Sequence, residues 1–486
     1  AMSISRRAYL SVATLAASSM AVAKTSGAYG LEYVTSGLGL TQSDSKSWQV
    51  LASDLEVITV TDTSVAFTWA TYAPGVQTAY GFIKPTVPSD ERVLLGPADS
   101  TQLELVHEGY SESGYHHVVI DGLEPGREYR FECWSHNCRA VPSLNITMSK
   151  TAPEKTGVVS TLPALAGAHL ATFALTNDTH IGKPNHDGIR IGNLGLSSDP
   201  GEQPFASMQL QGLVDTVKAA GLDTLVVNGD CTDSNRPEEY DELIRVLDTF
   251  GEFGKNWFVT RGNHDVHPPG LPNINGFRGR GIRKGKTAVP DYFSQRLVPT
   301  QQHWSTRVGE VRLIGVDTAE FGYAGGRINE RQMRALRAEL AEDPERPTIL
   351  FAHHPFTQDA VRSHFGGEAF MVEAQQAKVF QEILAATPGA KGVFAGHTHR
   401  SRRGIADYGD TDFCERGAAL GYPGGYTQIR VHTDGYQISY HRTTTPQSLS
   451  WSTKTRWSMF GLEPEFMLGK ISDRNYVNFF KNKVPL

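Results

Sequence analysis

The apolar positions along this 486-residue chain change period partway through. From about Trp48 to Thr161 the runs are short and alternating, as in "SVAFTWATY". Pro, Gly and Asp breaks recur roughly every 8–12 residues, the rhythm of a β-sandwich. Within "GLEPGREYRFECW", Tyr129 follows a Leu-x-Pro turn, which predicts a tyrosine corner at the start of a strand. Titratable groups do not gather in this stretch, so it reads as structural. After "STLPAL" the pattern shifts to apolar strand-like runs alternating with helical periods. Leu210, Leu213, Val214 and Val217 follow i, i+3, i+4, i+7, as do Tyr240, Leu243, Ile244 and Leu247; Val379, Ile383 and Leu384 continue the theme. Strands alternating with helices predict an α/β domain over 165–445. Residues 446–486, rich in Trp, Phe and Tyr, read as an extension docked on that core.

Five strand-like runs in the α/β stretch end in ligand-type residues. "ATFALTNDTH" delivers Asp178 and His180, "TLVVNGD" delivers Asp230, and "WFVTRGNHD" delivers Asn263 and His264. "TILFAHHP" delivers His353 and His354, and "GVFAGHTH" delivers His397 and His399. In open α/β sheets, ligands bind beyond the carboxyl ends of strands, where all of these groups lie. Partners at i and i+2 on an extended chain face one side and can converge on one ion. Gly229, Gly262 and Gly396 precede the ligands and are expected to turn the backbone sharply. Imidazoles, carboxylates and one amide oxygen suit manganese, iron or zinc without choosing between them. The ligands are too many for one tetrahedral ion and fit two ions sharing a carboxylate.

Composition narrows the context. Lys and Arg number 46 against 52 Asp and Glu, a net charge of −6 that gives no general reason to bind nucleic acid. Four cysteines are too few for a disulfide scaffold. Cys133 and Cys138 could pair in an oxidising compartment or remain half-buried thiols, and Cys231 suits packing. Arg6 and Arg7 precede a modestly apolar stretch and an Ala-Val-Ala site ending at Ala23. This predicts a twin-arginine signal over 1–23 that is read by the export machinery, followed by a linker over 24–46. No later run is long enough for a membrane span, so a periplasmic or secreted protein without a stable membrane anchor is expected.

The motifs "DTH", "GDCTD", "GNHD", "HHP" and "GHTH", in this order, resemble those of the calcineurin-like metallophosphoesterases. The resemblance covers 165–445, and "GYPGGYTQIRVHTDGYQISYHR" looks like that family's closing strands. It implies a four-layer α/β/β/α sandwich with two metal ions at the strand ends. One ion takes Asp178, His180, Asp230 and His399; the other takes Asp230, Asn263, His353 and His397, with Asp230 bridging. The resemblance also implies that Asp233 orients His264 and raises its pKa, so that His264 can protonate the leaving oxygen. A β-sandwich before such a domain, here 47–162 and fibronectin-III-like, looks like the layout of purple acid phosphatases. Those place a tyrosine ligand where Asp233 stands, so their iron–tyrosinate centre is not expected here.

Substrate contacts are expected from Asn263, His354, Arg400 and Arg283, the last in the basic run "FRGRGIRKGK". Arg402, Arg403 and His186 are further residues that could stand at the mouth. The leading expectation is an exported hydrolase that removes phosphate from small phosphomonoesters with metal-activated water. A phosphodiesterase acting on cyclic nucleotides or glycerophosphodiesters would use the same ligands. A surface-binding module with a structural metal site is the alternative of another class, disfavoured by the presence of Asp233 and His264.

Overall fold

The computed structural model describes residues 50–74, 86–142, 149–186, 202–266, 291–297, 303–456, 463–481 and 484. The expected export signal, the linker and the basic run holding Arg283 lie outside the described residues. The chain divides into two compact units: Ala1–Leu162 with Arg456–Glu465, and Pro163–Thr455 with Phe466–Leu486.

Among its described residues the first unit is built mainly of strands, with a helical turn at Pro153–Thr156. Its strands are β1 (Leu51–Val60), β2 (Ser64–Tyr72), β3 (Ser89–Pro97), β4 (Glu104–Ser111), β5 (Tyr115–Asp121), β6 (Glu128–Ser135), β7 (Cys138–Arg139) and β8 (Val158–Ser160). They form a sheet of order β1-β2-β5 and a second of order β4-β3-β6-β7, with β8 paired to β6. Phe67 and Phe131, from opposite sheets, pack with ring centroids 4.6 Å apart. The Trp69 indole donates to Ser135 Oγ across the same core at 3.0 Å. The tyrosine corner is present: Tyr129 Oη accepts the Glu124 N–H at 2.9 Å. Cys133 and Cys138 are buried thiols, and the Cys138 sulfur accepts the Ala52 N–H at 3.3 Å.

The second unit is built on two six-stranded sheets. Its strands are β9 (His169–Thr176), β10 (Leu225–Asn228), β11 (Trp257–Thr260), β12 (His303–Val308), β13 (Val311–Val316), β14 (Thr348–Ala352), β15 (Ala390–Ala395), β16 (Arg402–Gly404), β17 (Asp412–Glu415), β18 (Gly425–His432), β19 (Gly435–Arg442) and β20 (Tyr476–Phe479). The orders are β11-β10-β9-β18-β19-β20 and β12-β13-β14-β15-β17-β16. Both sheet faces are covered, which explains why β10, β13 and β14 are buried along their whole length. Phe173, Val226, Leu313, Phe351 and Phe394 fill the layer between the sheets.

Helices α1 (Phe205–Ala219) and α2 (Pro237–Leu247) cover the outer face of the first sheet through Leu210, Leu213, Val214, Val217, Tyr240 and Leu243. Helices α3 (Glu330–Glu342) and α4 (Ala374–Ala385) cover the second through Leu336, Leu340, Phe380 and Leu384. The helical periods in the sequence are these buried faces. The architecture is therefore an all-β sandwich followed by a four-layer α/β/β/α domain.

Residues of the aromatic tail dock on the α/β domain along its length. Trp451, on the helix Pro446–Thr455, stacks on Phe205 at 4.6 Å. β20 pairs antiparallel with β19 and completes the first sheet. Among the described residues no helix is long and apolar enough to cross a membrane.

Candidate metal centre

All five motif-bearing runs are strands, and each ends just before its polar residues. β9, β10 and β11 are parallel neighbours in one sheet, and β14 and β15 are parallel neighbours in the other. Their carboxyl ends therefore lie along the same side of the domain, where Asp178, Asp230, His353 and His397 follow within two residues. Asn228 ties the two sheets together at this level. Its Nδ2 donates to the carbonyls of Ala352 and Phe394 at 3.1 and 2.9 Å, and its Oδ1 accepts from Thr260 Oγ1. Asp265 fixes the loops of the first sheet, accepting from the backbone N–H groups of Gly262, Cys231 and Thr232 at 2.9–3.2 Å.

The ligand-type atoms converge. Asp178, His180 and His399 form one close group; Asp178, Asp230 and His353 form another; His353, His354 and His397 form a third. His353 Nε2 is 3.2 Å from Asp230 Oδ2, and His399 Nε2 is 3.3 Å from Asp178 Oδ1. Nε2 of His180 faces Nε2 of His399 at 3.3 Å, a facing that one cation shared by both rings accounts for. Nε2 of His354, Nε2 of His397 and Oδ1 of Asn263 are buried without a hydrogen-bond partner among the described residues. Buried acceptors left unpaired cost about 1–3 kcal/mol each, and a cation among them removes that cost. The residues present thus fit two metal ions.

The far sides of the rings are held as ligand imidazoles usually are. His353 Nδ1 lies 3.1 Å from the Asn228 carbonyl, and His180 Nδ1 lies 3.2 Å from Asp233 Oδ1. Each contact directs the ring's Nε2 into the cluster. His354 Nδ1 is 2.8 Å from Thr318 Oγ1. Asp178, His180, Asp230, His397 and His399 all have positive φ, between 44° and 67°. Residues with a Cβ rarely adopt this conformation. The sharp turns are therefore made largely by the ligand-type residues themselves.

This corrects the expectation for the glycines. Gly229 does turn, at φ 84°, but Gly262 and Gly396 do not have positive φ. They are needed for clearance: a Cβ on Gly262 would lie 2.2 Å from Asp230 N and Oδ1, and one on Gly396 would lie 2.8 Å from Asp178 Oδ2.

His264 donates its backbone N–H to Asp230 Oδ1 at 2.9 Å. Its Nδ1 lies 2.9 Å from the Asp233 carbonyl oxygen and 3.5 Å from Asp233 Oδ1. Burial opposes its charge, but Asp230 and then Asp233 hold the imidazolium up to about 9. Asp233 also serves His180 and pairs with Lys183 at 3.2 Å. Burial alone would raise the Asp233 carboxyl, yet hydrogen bonds to His180 and His264, with Lys183 nearby, hold it well below the usual carboxylate range.

The expected substrate contacts fare differently. Arg283 lies outside the described residues. Arg400 is buried: its Nε and Nη2 donate to Glu415 at 2.8 and 2.9 Å, and its Nη1 donates to the Ser363 carbonyl. Arg400, expected as a phosphate contact, is thus engaged by Glu415 and Ser363. Arg402 pairs with Asp359 and Arg403 with Asp412. His186 is buried against Phe205 and Trp451. Asn228, Asp265 and Lys183 were missed. The polar residue before Gly229-Asp230 and the acid that closes "GNHD" were the available signals.

The calcineurin-like phosphoesterase family model matches residues 171–401, which hold every motif of the site. Fold and site together form a four-layer core similar to the calcineurin-like metallophosphoesterases, preceded by a β-sandwich. A probable cyclic nucleotide phosphodiesterase of Rhodococcus erythropolis is 27% identical over 202 residues, 40% of this chain and 58% of its own length. The glycerophosphodiester phosphodiesterase GpdQ of Enterobacter lignolyticus is 26% identical over 188 residues, 38% of this chain and 56% of its own. A dimetal phosphatase structure from Danio rerio aligns at TM-score 0.43 and 14% identity, over 57% of this chain and 97% of that one. The chain thus spans little more than half the length of these curated relatives.

Proposed function

We propose that this chain is a dinuclear-metal phosphodiesterase. The carrying observation is the convergence of Asp178, His180, Asp230, His353, His397 and His399 beyond the ends of four strands, with His264 beside them. The pairing of nearby cations favours a diester over the monoester first expected. Lys183, Arg261, Arg400 and Arg402 are all engaged by carboxylates. A monoanionic diester demands less added positive charge than a dianionic monoester. The relatives described as phosphodiesterases support the same reading.

Asp178, His180, Asp230 and His399 would hold one ion, and Asp230, Asn263, His353 and His397 the other, with manganese, iron and zinc all compatible. Bound there, the ions would polarise the phosphoryl group and acidify water. The protein's own residues supply the rest. The Asp233 carbonyl accepts from His264 Nδ1, leaving the Nε2 proton for the departing alkoxide. Lys183 keeps Asp233 ionised, and Asp233 in turn fixes the His180 ring. Asp265 locks the loops that carry Asp230 and Asn263. The twin-arginine pattern further supports export to the periplasm or beyond.

Initial rates on bis(p-nitrophenyl) phosphate and p-nitrophenyl phosphate, side by side on metal-reconstituted protein, test the reading. A higher kcat/KM on the diester is expected. A preference for the monoester would overturn it.

A further inference from the structure

Beside His397 the segment 364–370 carries the aromatic side chains of His364, Phe365 and Phe370. Phe370 packs on His397 with centroids 5.1 Å apart. Phe365 stacks on His364 at 4.2 Å and lies 6.2 Å from Phe370 and 6.3 Å from Phe466. Phe365 is nonetheless 73% exposed, so one side of its ring is supported and the other meets solvent. A lone exposed apolar residue is ordinary. A contiguous aromatic group continuous with a metal centre is the pattern of a binding surface.

The rim is also built in advance. A Cβ on Gly366 would lie 2.3 Å from the Phe370 ring, so the glycine is what lets that ring fold back over the chain. The Gly366 N–H donates to His364 Nδ1 at 3.1 Å and fixes the ring beneath Phe365. The Arg400 guanidinium, locked by Glu415 and Ser363, stands 5.2 Å from the Phe466 ring centre. Arg400, expected to grip phosphate, thus braces the rim instead. A preformed surface loses little freedom when a ligand arrives.

We propose that Phe365, Phe370 and Phe466 form a subsite for a nucleobase carried by the phosphoester substrate. This rests on the phosphoesterase reading, since the phosphate must sit at the metal centre for its organic group to reach the rim. Flat, open aromatic faces suit a planar ring, whereas an aliphatic alcohol group would gain little from them. Stacking is tolerant of base identity, so purine and pyrimidine esters should differ only modestly.

The test compares adenosine 5′-monophosphate with ribose 5-phosphate, which differ only in the base, by calorimetric titration of metal-loaded protein. The nucleotide is expected to bind about 5- to 150-fold tighter, the range that one stacked base contributes. Phe365→Ala and Phe365→Leu should both abolish that ratio, and Phe365→Trp should keep it. Circular dichroism checks that each variant folds. Equal affinities in the wild type, a preference that survives Phe365→Ala, or one fully retained by Phe365→Leu would overturn the subsite. Turnover of methyl adenosine 5′-phosphate, measured in parallel, separates the two readings. Hydrolysis without base preference leaves the phosphodiesterase and removes the rim; base preference without hydrolysis does the reverse.

Discussion

Nδ1 of His180 lies 3.2 Å from Oδ1 of Asp233, so a carboxylate stands behind an imidazole whose other nitrogen faces the ligand cluster. Removing that charge while keeping the shape should loosen the ring's aim and lower its basicity. Asp233→Asn is expected to weaken metal affinity by about 10- to 100-fold. Competition with a chromogenic chelator measures this directly, and unchanged affinity would confine Asp233 to His264.

His264 separates chemistry from metal holding. His264→Ala should lose about 10²–10⁴-fold in rate while the two ions stay bound. The loss should be larger for an alkyl leaving group than for p-nitrophenol, which departs without help. Parallel loss of metal, read by elemental analysis, would make the residue structural.

The metal-free site stores protons where cations would sit. Burial disfavours charge on His353, but Asp230 and Asp178 hold its imidazolium up to about 9. A cation arriving at Nε2 must expel that proton, so apparent metal affinity should rise with pH up to about 9. Calorimetry near neutral pH in buffers of different ionisation enthalpy should show proton release on binding. The folded-state pKa is raised, so its stabilisation of the metal-free protein is full below the ordinary histidine value of about 6.5. It is lost as pH rises from there through about 9. Thermal melts of chelated protein should therefore show Tm falling across that window, and a rising Tm would sink this account.

Arg400 and Glu415 are both buried, so Arg400→Ala leaves a carboxylate unpaired in the interior. About 3–5 kcal/mol of stability should be lost, read as a lower denaturation midpoint. KM for a diester lacking any aromatic group should hardly move, in contrast to what a phosphate clamp would give.

Asn228 spans the two sheets through two buried hydrogen bonds, and a third ties it to Thr260 on the neighbouring strand of its own sheet. Asn228→Ala strands two carbonyls and a hydroxyl, each costing about 1–3 kcal/mol if water does not enter. Metal content after dialysis should fall along with stability, because both ligand sets hang from the strands it joins. Full retention of both ions in a destabilised variant would show that the sheets hold register without it.

The strand ends and their ligands were legible because both signals are local: an apolar run, then a polar residue in the next two or three positions. The helical faces of Leu210–Val217 and Tyr240–Leu247 were legible for the same reason. What escaped the sequence was partnership across distance. Glu415, fifteen residues along on a strand, holds the Arg400 guanidinium. The carbonyls that Asn228 stitches belong to strands more than a hundred residues away. Clearance was equally hidden, since Gly262 and a turning glycine look alike until Asp230 is seen 2.2 Å from where a Cβ would be.

The left-handed backbone at Asp178, His180, Asp230, His397 and His399 has a consequence for how such a protein decays. Each residue held there strains the chain by an amount on the order of 1 kcal/mol, and glycine would be at ease in the same place. A lineage released from the need to bind metal could drift toward glycine at these five points and grow sturdier as it fell silent. Among descendants of this fold, a robust, easily expressed protein with glycines at the strand ends is what a lost enzyme would look like.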